Sequence, residues 1–213
     1  VARSGVSVDM LVSTDVPLIG FKNGYEVMTI DAVDRGRARD IGSQLTIGHG
    51  IKSGRATAAV CRALAIACTG NLTPKVSVTD TLHILYVYEN ELAKLQSIDH
   101  TWINNAAVSA GLVMGIAAGQ SGVEFATSYL LGEHKYNDPA NILKRWLVRN
   151  SYTSSSQRVL NTLYGVAHCV KAQFDGVKME KNCASYKSLA WLIDQQGRRA
   201  NKIRGLFEVT TNE

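Results

Sequence analysis

The sequence predicts a mainly α fold of the α+β class, with a helical core preceded by an N-terminal β-hairpin or arm. Two observations carry this prediction: apolar residues recur at three- and four-residue intervals after residue 54, and an Asn-Gly pair separates two β-rich stretches near the N-terminus. With 213 residues the chain can bury one sizeable core. We therefore expect one domain with three parts: a hairpin and Gly-rich basic loop (1–54), a helical core (55–205) and a C-terminal tail (206–213).

The hairpin is predicted to pair residues 17–21 with 25–30 around Asn23-Gly24, because these two residues accept the positive φ angles of a type I′ turn. Residues 34–54 follow, with five glycines among polar residues. Glycine makes backbone ordering entropically costly, so this stretch is predicted to be a mobile or partner-ordered loop.

The first core helix is predicted over 56–68, with Gly70 following as its stop. Thr79 or Asp80 is expected to cap the next helix, whose apolar stripe runs to Leu95. Asp99 is expected to cap a third helix that runs into the Ala-Gly segment and resumes over 123–131.

Three further helices are predicted in the C-terminal part. Asp138-Pro139 has a capping residue followed by a proline at the first helical position, which predicts a helix over 139–149. A polar break over 151–156 precedes the clearest amphipathic helix, to about residue 174. The last helix is predicted over 184–196, ended by Gly197, with four buried residues: Tyr186, Leu189, Ala190 and Ile193.

Gly111, Gly115 and Gly119 repeat every four residues along one helical face. Such spacing lets another helix approach closely. A tightly packed central helix is the favoured interpretation, and a subunit contact or hinge is the alternative, because each helical glycine costs about 1 kcal/mol relative to alanine.

No catalytic motif is evident, so we expect no enzyme, no cofactor and no metal ligands. The Gly-rich segment 48–55 resembles a phosphate loop, but Ile51 stands where a Walker A motif requires glycine before Lys52-Ser53. The five histidines lack an adjacent nucleophile signature, and His168 and Cys169 point about 100° apart on a helix. A structural role for this pair is favoured over a catalytic dyad.

The four cysteines show neither disulfide-scaffold density nor C-x-x-C spacing, so free, mostly buried thiols in a reducing compartment are expected. The longest apolar run, over 106–119, is shorter than the roughly 20 residues of a bilayer span. We expect no membrane span and an intracellular location, or virion and host cytoplasm for a viral protein.

Charge is distributed unevenly along the chain. Residues 1–132 carry 10 Lys and Arg against 11 Asp and Glu, a net charge of −1, whereas residues 133–213 carry 13 against 7, a net charge of +6. Separated basic segments around an acidic middle are typical of a polyanion-binding groove, and a solvated basic face is the alternative. The candidate nucleic-acid-binding residues are Arg35, Arg37, Arg39, Lys52, Arg55, Lys144, Arg145, Arg149, Arg158, Arg198 and Arg199.

The favoured hypothesis is a structural nucleic-acid-binding protein. It would be a viral nucleocapsid or coat subunit that packages single-stranded RNA without sequence preference and self-associates into a homo-oligomer or polymer. The hairpin suits assembly, since a lone hairpin is marginal in water and can add to a neighbour's sheet edge. Two alternatives stay open: a small enzyme with a phosphate-binding loop at residues 48–55, and a helical protein-interaction module.

Overall fold

The computed structural model of the chain describes residues 19–22, 25–28, 40–99, 105–132, 135–150 and 155–208. The chain divides into two compact units, Val1–Arg39 and Asp40–Glu213. The division falls fifteen residues earlier than the predicted boundary at residue 54, because the segment after Asp40 belongs to the helical unit.

The first unit contains two described strands, β1 (Ile19–Lys22) and β2 (Tyr25–Met28). They pair antiparallel, with Ile19 opposite Met28 and Lys22 opposite Tyr25. The predicted turn at Asn23-Gly24 lies outside the described residues. The same holds for the flanking ends of the predicted hairpin, at 17–18 and 29–30.

Among the described residues the second unit contains ten helices. They are α1 (Ile41–His49), α2 (Gly54–Thr69), α3 (Val78–Val87), α4 (Glu89–Ile98), α5 (Ala106–Ala118), α6 (Gln120–Leu131), α7 (Pro139–Arg149), α8 (Ser155–Phe174), α9 (Tyr186–Asp194) and α10 (Arg198–Glu208). The prediction of a mainly helical molecule is confirmed for this unit.

Helix α1 corrects the prediction of a loop over 34–54 for residues 41–49, whereas residues 34–39 of that prediction lie outside the described residues. Asp40 caps it by accepting a hydrogen bond from the Ser43 backbone N–H at 2.9 Å, and Gly50 ends it in the left-handed conformation at φ 65°. Gly42 is a packing residue of this helix: a Cβ at this position would lie 2.5 Å from the Arg55 Cα. Close contact with α2 thus offsets the entropic cost of glycine in this helix.

Helices α2, α5 and α8 contact one another and form the centre of the core. The predicted close approach on α5 is confirmed, because Val166 and Val170 of α8 pack directly against Gly111 and Gly115. Gly122 of α6 lies against the carbonyl group of Gly115 from the other side. Gly111 and Gly115 therefore serve the packing of a central helix within this chain, whereas Gly119 follows the helix as its C-cap, at φ 138°.

Two predicted helix starts are wrong. Ser77, rather than Thr79 or Asp80, caps α3: its Oγ accepts from the Asp80 N–H at 3.1 Å while the Asp80 carboxylate accepts from the Ser77 N–H at 2.8 Å. Asp99 ends α4, and Asn105 caps α5 by accepting from the N–H groups of the two residues that follow Ala106. The predicted single helix over 79–95 is two, since Tyr88 leaves the helical conformation at φ −116° and separates them.

The C-terminal helices follow the predictions closely. Helix α7 has the predicted bounds, although the Asp138 carboxylate accepts from the Lys135 N–H at 2.6 Å instead of capping α7. In α9, Leu189 is buried as predicted, but Tyr186 is 70% exposed. Residues after Gly197 form a separate helix, α10, which begins at Arg198.

A buried polar contact joins elements that are distant in sequence. Gln196 donates its amide to the carbonyl groups of Met114, at 3.0 Å, and Leu192, at 2.8 Å. Its Oε1 accepts a hydrogen bond from the fully buried Tyr88 hydroxyl at 3.2 Å. Burial raises the pKa of this tyrosine far above its usual range, so it stays a donor.

Within the described ranges, no helix is both long and apolar enough to cross a bilayer.

Candidate nucleic-acid interface

One face of α7 gathers basic and aromatic side chains. Ile142, Arg145, Trp146 and Arg149 follow one another at the three- and four-residue spacing that places residues on one side of a helix. Ile142 is buried, Arg145 and Trp146 are half-buried, and Arg149 is exposed. The face therefore has an apolar base and a cationic rim.

This face lines a hollow of about 190 Å³. Lys181, Glu180 and Asn182 close it from the segment between α8 and α9. The hollow has room for about six waters at ~30 Å³ each, which suits a small polar group such as phosphate. Three cations face one carboxylate around it, so its local charge is positive.

The cations of this hollow are available to a ligand. Neither Arg149 nor Lys181 forms an ion pair within the described part of the chain, although Glu180 lies on the same rim. Lys171, by contrast, pairs with Asp175 at 2.6 Å. Within the described residues, Glu180 therefore offsets only part of the positive charge of the hollow.

Two buried polar atoms at this hollow lack hydrogen-bond partners: Nε of Arg145 and Oδ1 of Asn182. Only one other described side-chain atom is in this state, Oε2 of Glu91. An unsatisfied buried polar group costs about 1–3 kcal/mol, so groups of this kind concentrate where a ligand or solvent completes them. The two residues that carry these atoms both line the hollow, and together with its cations they make it the strongest candidate site in the helical unit.

Arg145 is held in place by its surroundings. Its guanidinium stacks on the Tyr136 ring, 4.0 Å from the ring centroid, and donates from Nη2 to the Tyr136 carbonyl at 3.0 Å. A planar guanidinium retains further donors after such contacts and can bind phosphate oxygens with two of them. Tyr136 is itself 70% exposed, which leaves aromatic surface beside the charge.

The segment between α8 and α9 is held by two hydrogen bonds, one to the connection before α7 and one to α8. The Met179 N–H donates to the Asn137 carbonyl at 3.2 Å, and the Asn182 amide donates to the Gly165 carbonyl at 3.0 Å. Met179 is buried, so the segment is also anchored by apolar contact. This arrangement places Lys181 on the rim opposite α7.

A second hollow, of about 420 Å³, shares Trp146 and Arg149 with the first. Its other lining residues are the C-cap of α7, three residues of α8 and one residue shortly before α9: Asn150, Asn161, Thr162, Tyr164 and Ala184. Its volume falls within the range of small-molecule sites. We call the first the cationic hollow and the second the aromatic hollow.

The indole of Trp146 forms the wall between the two hollows because residue 165 is glycine. A Cβ at Gly165 would lie 2.5 Å from Cζ3 and 2.7 Å from Cη2 of the indole. Tyr164 continues the wall and contacts the 70%-exposed Tyr186 edge to face, with ring centroids 6.3 Å apart.

Two other predicted contacts lie near these hollows. Arg158 is exposed on α8, three and four residues before Asn161 and Thr162 and thus on the same helix face. Lys144 points elsewhere, since its ammonium lies 5.2 Å from the centroid of the Tyr129 ring on α6.

The remaining predicted contacts are placed differently. Arg55 lines another hollow, of about 700 Å³ between α1 and α2, and pairs with Asp40 at 2.8 Å. This arginine holds the Asp40 pKa below its usual range, after the larger effect of the Ser43 N–H. Lys52 is exposed in the short connection before α2. Arg199 pairs with the buried Glu91 at 2.9 Å, whereas Arg198 is exposed.

The predicted contacts at positions 35, 37 and 39 lie outside the described residues: Arg35, Arg37 and Arg39.

The segment 48–55 has little of the predicted loop geometry. His49 ends α1, Ser53 adopts a left-handed φ of 59°, and Gly54 already begins α2 against the Gly42 carbonyl and Thr46. Helix α1 thus occupies one side of the α2 N-terminus.

The prediction of free, mostly buried thiols is confirmed: all four cysteines are free, three are buried and Cys183 is exposed. Burial raises the pKa of Cys61 and of Cys68 to about 12. His168 has its Nδ1 3.2 Å from the Ser188 hydroxyl, and its pKa is lowered by burial and then by Lys171. It is therefore neutral at pH 7, in keeping with a structural role.

Sequence reasoning named the basic and aromatic residues of α7 but missed three groups of the two hollows: Lys181 as a site residue, the Asn182 amide, and the polar lining of the aromatic hollow. Lys181 lies within the predicted basic C-terminal segment, and that was its only signal. No sequence signal marks the polar residues of the aromatic hollow, Asn150, Asn161 and Thr162, because only the packing of α7 on α8 brings them together.

Comparison with protein-family models, with curated proteins and with solved structures finds no match to this chain.

Proposed function

We propose that this chain is a structural nucleic-acid-binding protein, a viral nucleocapsid or coat subunit that packages single-stranded RNA without sequence preference. The observation that carries the proposal is the cationic hollow, where Arg145, Arg149 and Lys181 converge without carboxylate partners in the described structure. Phosphate neutralisation by clustered cations supplies most of the affinity of sequence-independent nucleic-acid binding.

Aromatic surface next to the cations supports single-stranded nucleic acid as the ligand. Tyr136 and Tyr186 are each 70% exposed, and both lie beside the two hollows through their contacts with Arg145 and Tyr164. Base stacking on aromatic rings is worth about 1–3 kcal/mol per base and tolerates any sequence. A duplex would hide these base faces.

The packaging role adds assembly to RNA binding. Its support is the N-terminal strand pair, whose four-residue strands make a two-stranded sheet that is marginal in water by itself. In a coat or nucleocapsid such an element gains stability by packing on a neighbouring subunit.

The test is binding of a fluorescent single-stranded RNA over a salt series. Log affinity should fall with log salt concentration, with a slope of about −0.7 for each phosphate contact on a single strand. The double charge reversal Arg149→Glu with Lys181→Glu should make the slope less negative by more than the ~0.7 that corresponds to one phosphate contact. The matched control reverses Lys94 and Lys135, which are equally charged and exposed but lie outside both hollows.

Two results would contradict the proposal. A flat salt response of the wild-type protein would remove nucleic-acid binding, and equal losses in the two double variants would mean that the binding surface lies elsewhere. Size measurement by light scattering with and without RNA tests assembly. Monomers in both conditions would remove the packaging role.

A further inference from the structure

We infer that the cationic and aromatic hollows together hold one nucleotide of the bound strand, with its phosphate in the first and its base in the second. The inference rests on the proposed function and names the unit of RNA that this site recognises. It starts from the fact that both hollows share Trp146 and Arg149, so a ligand in one is in contact with the wall of the other.

The two volumes match the two parts of a nucleotide. The cationic hollow, at about 190 Å³, suits a phosphate group with a few waters, whereas the aromatic hollow, at about 420 Å³, has room for a base and its ribose. The distribution of charge is complementary to that of a nucleotide, whose negative charge lies on the phosphate. Three cations line the smaller hollow, and the larger one retains only Arg149, at the shared wall.

The polar lining of the aromatic hollow can pair with a base edge. Asn150 donates its amide to the Trp146 carbonyl at 2.9 Å, which leaves its own Oδ1 as an acceptor. Asn161 accepts from the Gln157 amide at 3.1 Å, which leaves its N–H groups as donors. Thr162, only 6% exposed, adds a hydroxyl that both donates and accepts.

This donor and acceptor set fits any of the four bases. Base edges differ in where they present donors and acceptors, but a hydroxyl rotates to meet either kind. A stacked base meets Trp146 or Tyr164 through a π face that every base has. The hollow thus holds a base without selecting among sequences, as the proposed packaging role requires.

The experiment titrates the protein with four probes: uridine 5′-monophosphate, adenosine 5′-monophosphate, uridine and inorganic phosphate. Binding is followed by calorimetry and by chemical shifts of the Trp146 indole N–H. Both monophosphates should bind more tightly than phosphate or uridine alone, because each of those fills one hollow only. The indole signal should move with the nucleotides.

The matched variants separate the two hollows. Thr162→Val keeps the shape of the side chain and removes its hydroxyl, so nucleotide affinity should fall roughly three- to tenfold while phosphate affinity stays unchanged. Arg149→Gln should weaken phosphate and nucleotide alike. Thr162→Val should also leave the salt slope of RNA binding unchanged, because no phosphate contact is lost.

Failure of this inference differs from failure of the proposed function. Salt-dependent RNA binding with nucleotides no tighter than phosphate, or with no effect of Thr162→Val on nucleotides, would overturn the nucleotide pocket and leave RNA packaging standing. Nucleotide binding that is weakened in Thr162→Val but occurs without any RNA affinity would support the pocket and remove packaging.

Discussion

The contact between Gly122 of α6 and the carbonyl group of Gly115 on α5 makes a quantitative prediction about Gly122→Ala. A Cβ at position 122 would overlap that carbonyl group and lie 3.0 Å from the Ile116 nitrogen. Both obstacles are backbone atoms within a helix, so no side-chain rotation removes the overlap. Ordinary carbon contacts are near ~3.5–4.0 Å, and α5 and α6 would have to separate to restore them.

The expected size follows from two opposing terms. Alanine stabilises a helix by about 1 kcal/mol relative to glycine, whereas overpacking a well-packed core costs about 1–3 kcal/mol or more. A rigid backbone obstacle belongs at the upper end of that range, so Gly122→Ala should lose about 2 kcal/mol net. In a unit of this size that lowers Tm by roughly 4–8 °C.

The matched control is Gly205→Ala on α10, because a Cβ at position 205 meets nothing within 4 Å. Only the helix-propensity term acts there, so Tm should rise by about 2–4 °C. Thermal unfolding followed by far-UV circular dichroism measures both, at one protein concentration because self-association makes Tm depend on concentration. A Gly122→Ala protein as stable as wild type would refute the close-packed contact of α5 with α6.

Three other predictions follow from buried groups. Ellman's reagent should modify only Cys183 in the native protein and reach the three buried thiols, whose pKa values burial raises, only on unfolding; fast reaction of a second thiol would contradict their burial. The pKa of His168 is lowered in the folded protein, so the neutral imidazole stabilises the fold fully above the unfolded pKa near ~6.5, and this contribution is lost as the pH falls below it. The free energy of unfolding measured in urea should therefore fall between pH 7.5 and 5.5, and it should fall less in His168→Gln. Arg199→Ala should destabilise by about 1–3 kcal/mol because it leaves the buried Glu91 unpaired, while Arg198→Ala should be neutral; equal urea midpoints would show that the ion pair adds no stability.

The helices with clear apolar periodicity could be predicted from sequence, and α2 and α7 have close to their predicted bounds. Helix α1 could not, because its glycines signalled a loop when read alone. The reason for Gly42 is a tertiary contact, because the absence of a side chain allows the backbone of α2 to approach closely. The break between α3 and α4 at Tyr88 could not be predicted for a similar reason. No glycine or proline marks it, and the tyrosine is held by a buried hydrogen bond to Gln196, which is distant in sequence.

The candidate site was half predictable. The spacing of Arg145 and Arg149 on one helix face is a local property, so the sequence indicates it. The role of Arg55 and Arg199 is not local: each has a carboxylate partner, Asp40 or Glu91, at a distance along the chain that no periodicity reveals. Charge counts along a sequence cannot separate a cation that is free from one that is paired.

The hydrogen bond from Arg204 of α10 to the Cys68 carbonyl, 2.8 Å long, closes the last turn of α2 across 136 residues of sequence. On the ribosome, at about 5–20 residues per second, α2 therefore waits roughly 7–27 seconds for the residue that completes it. Of the helices that contact α2, α5 is synthesised early in that interval and α8 late in it, so part of the apolar face of α2 lacks its partners until α10 emerges. The helical unit thus folds late in synthesis, and its nascent form is the stage at which chaperones have most to protect.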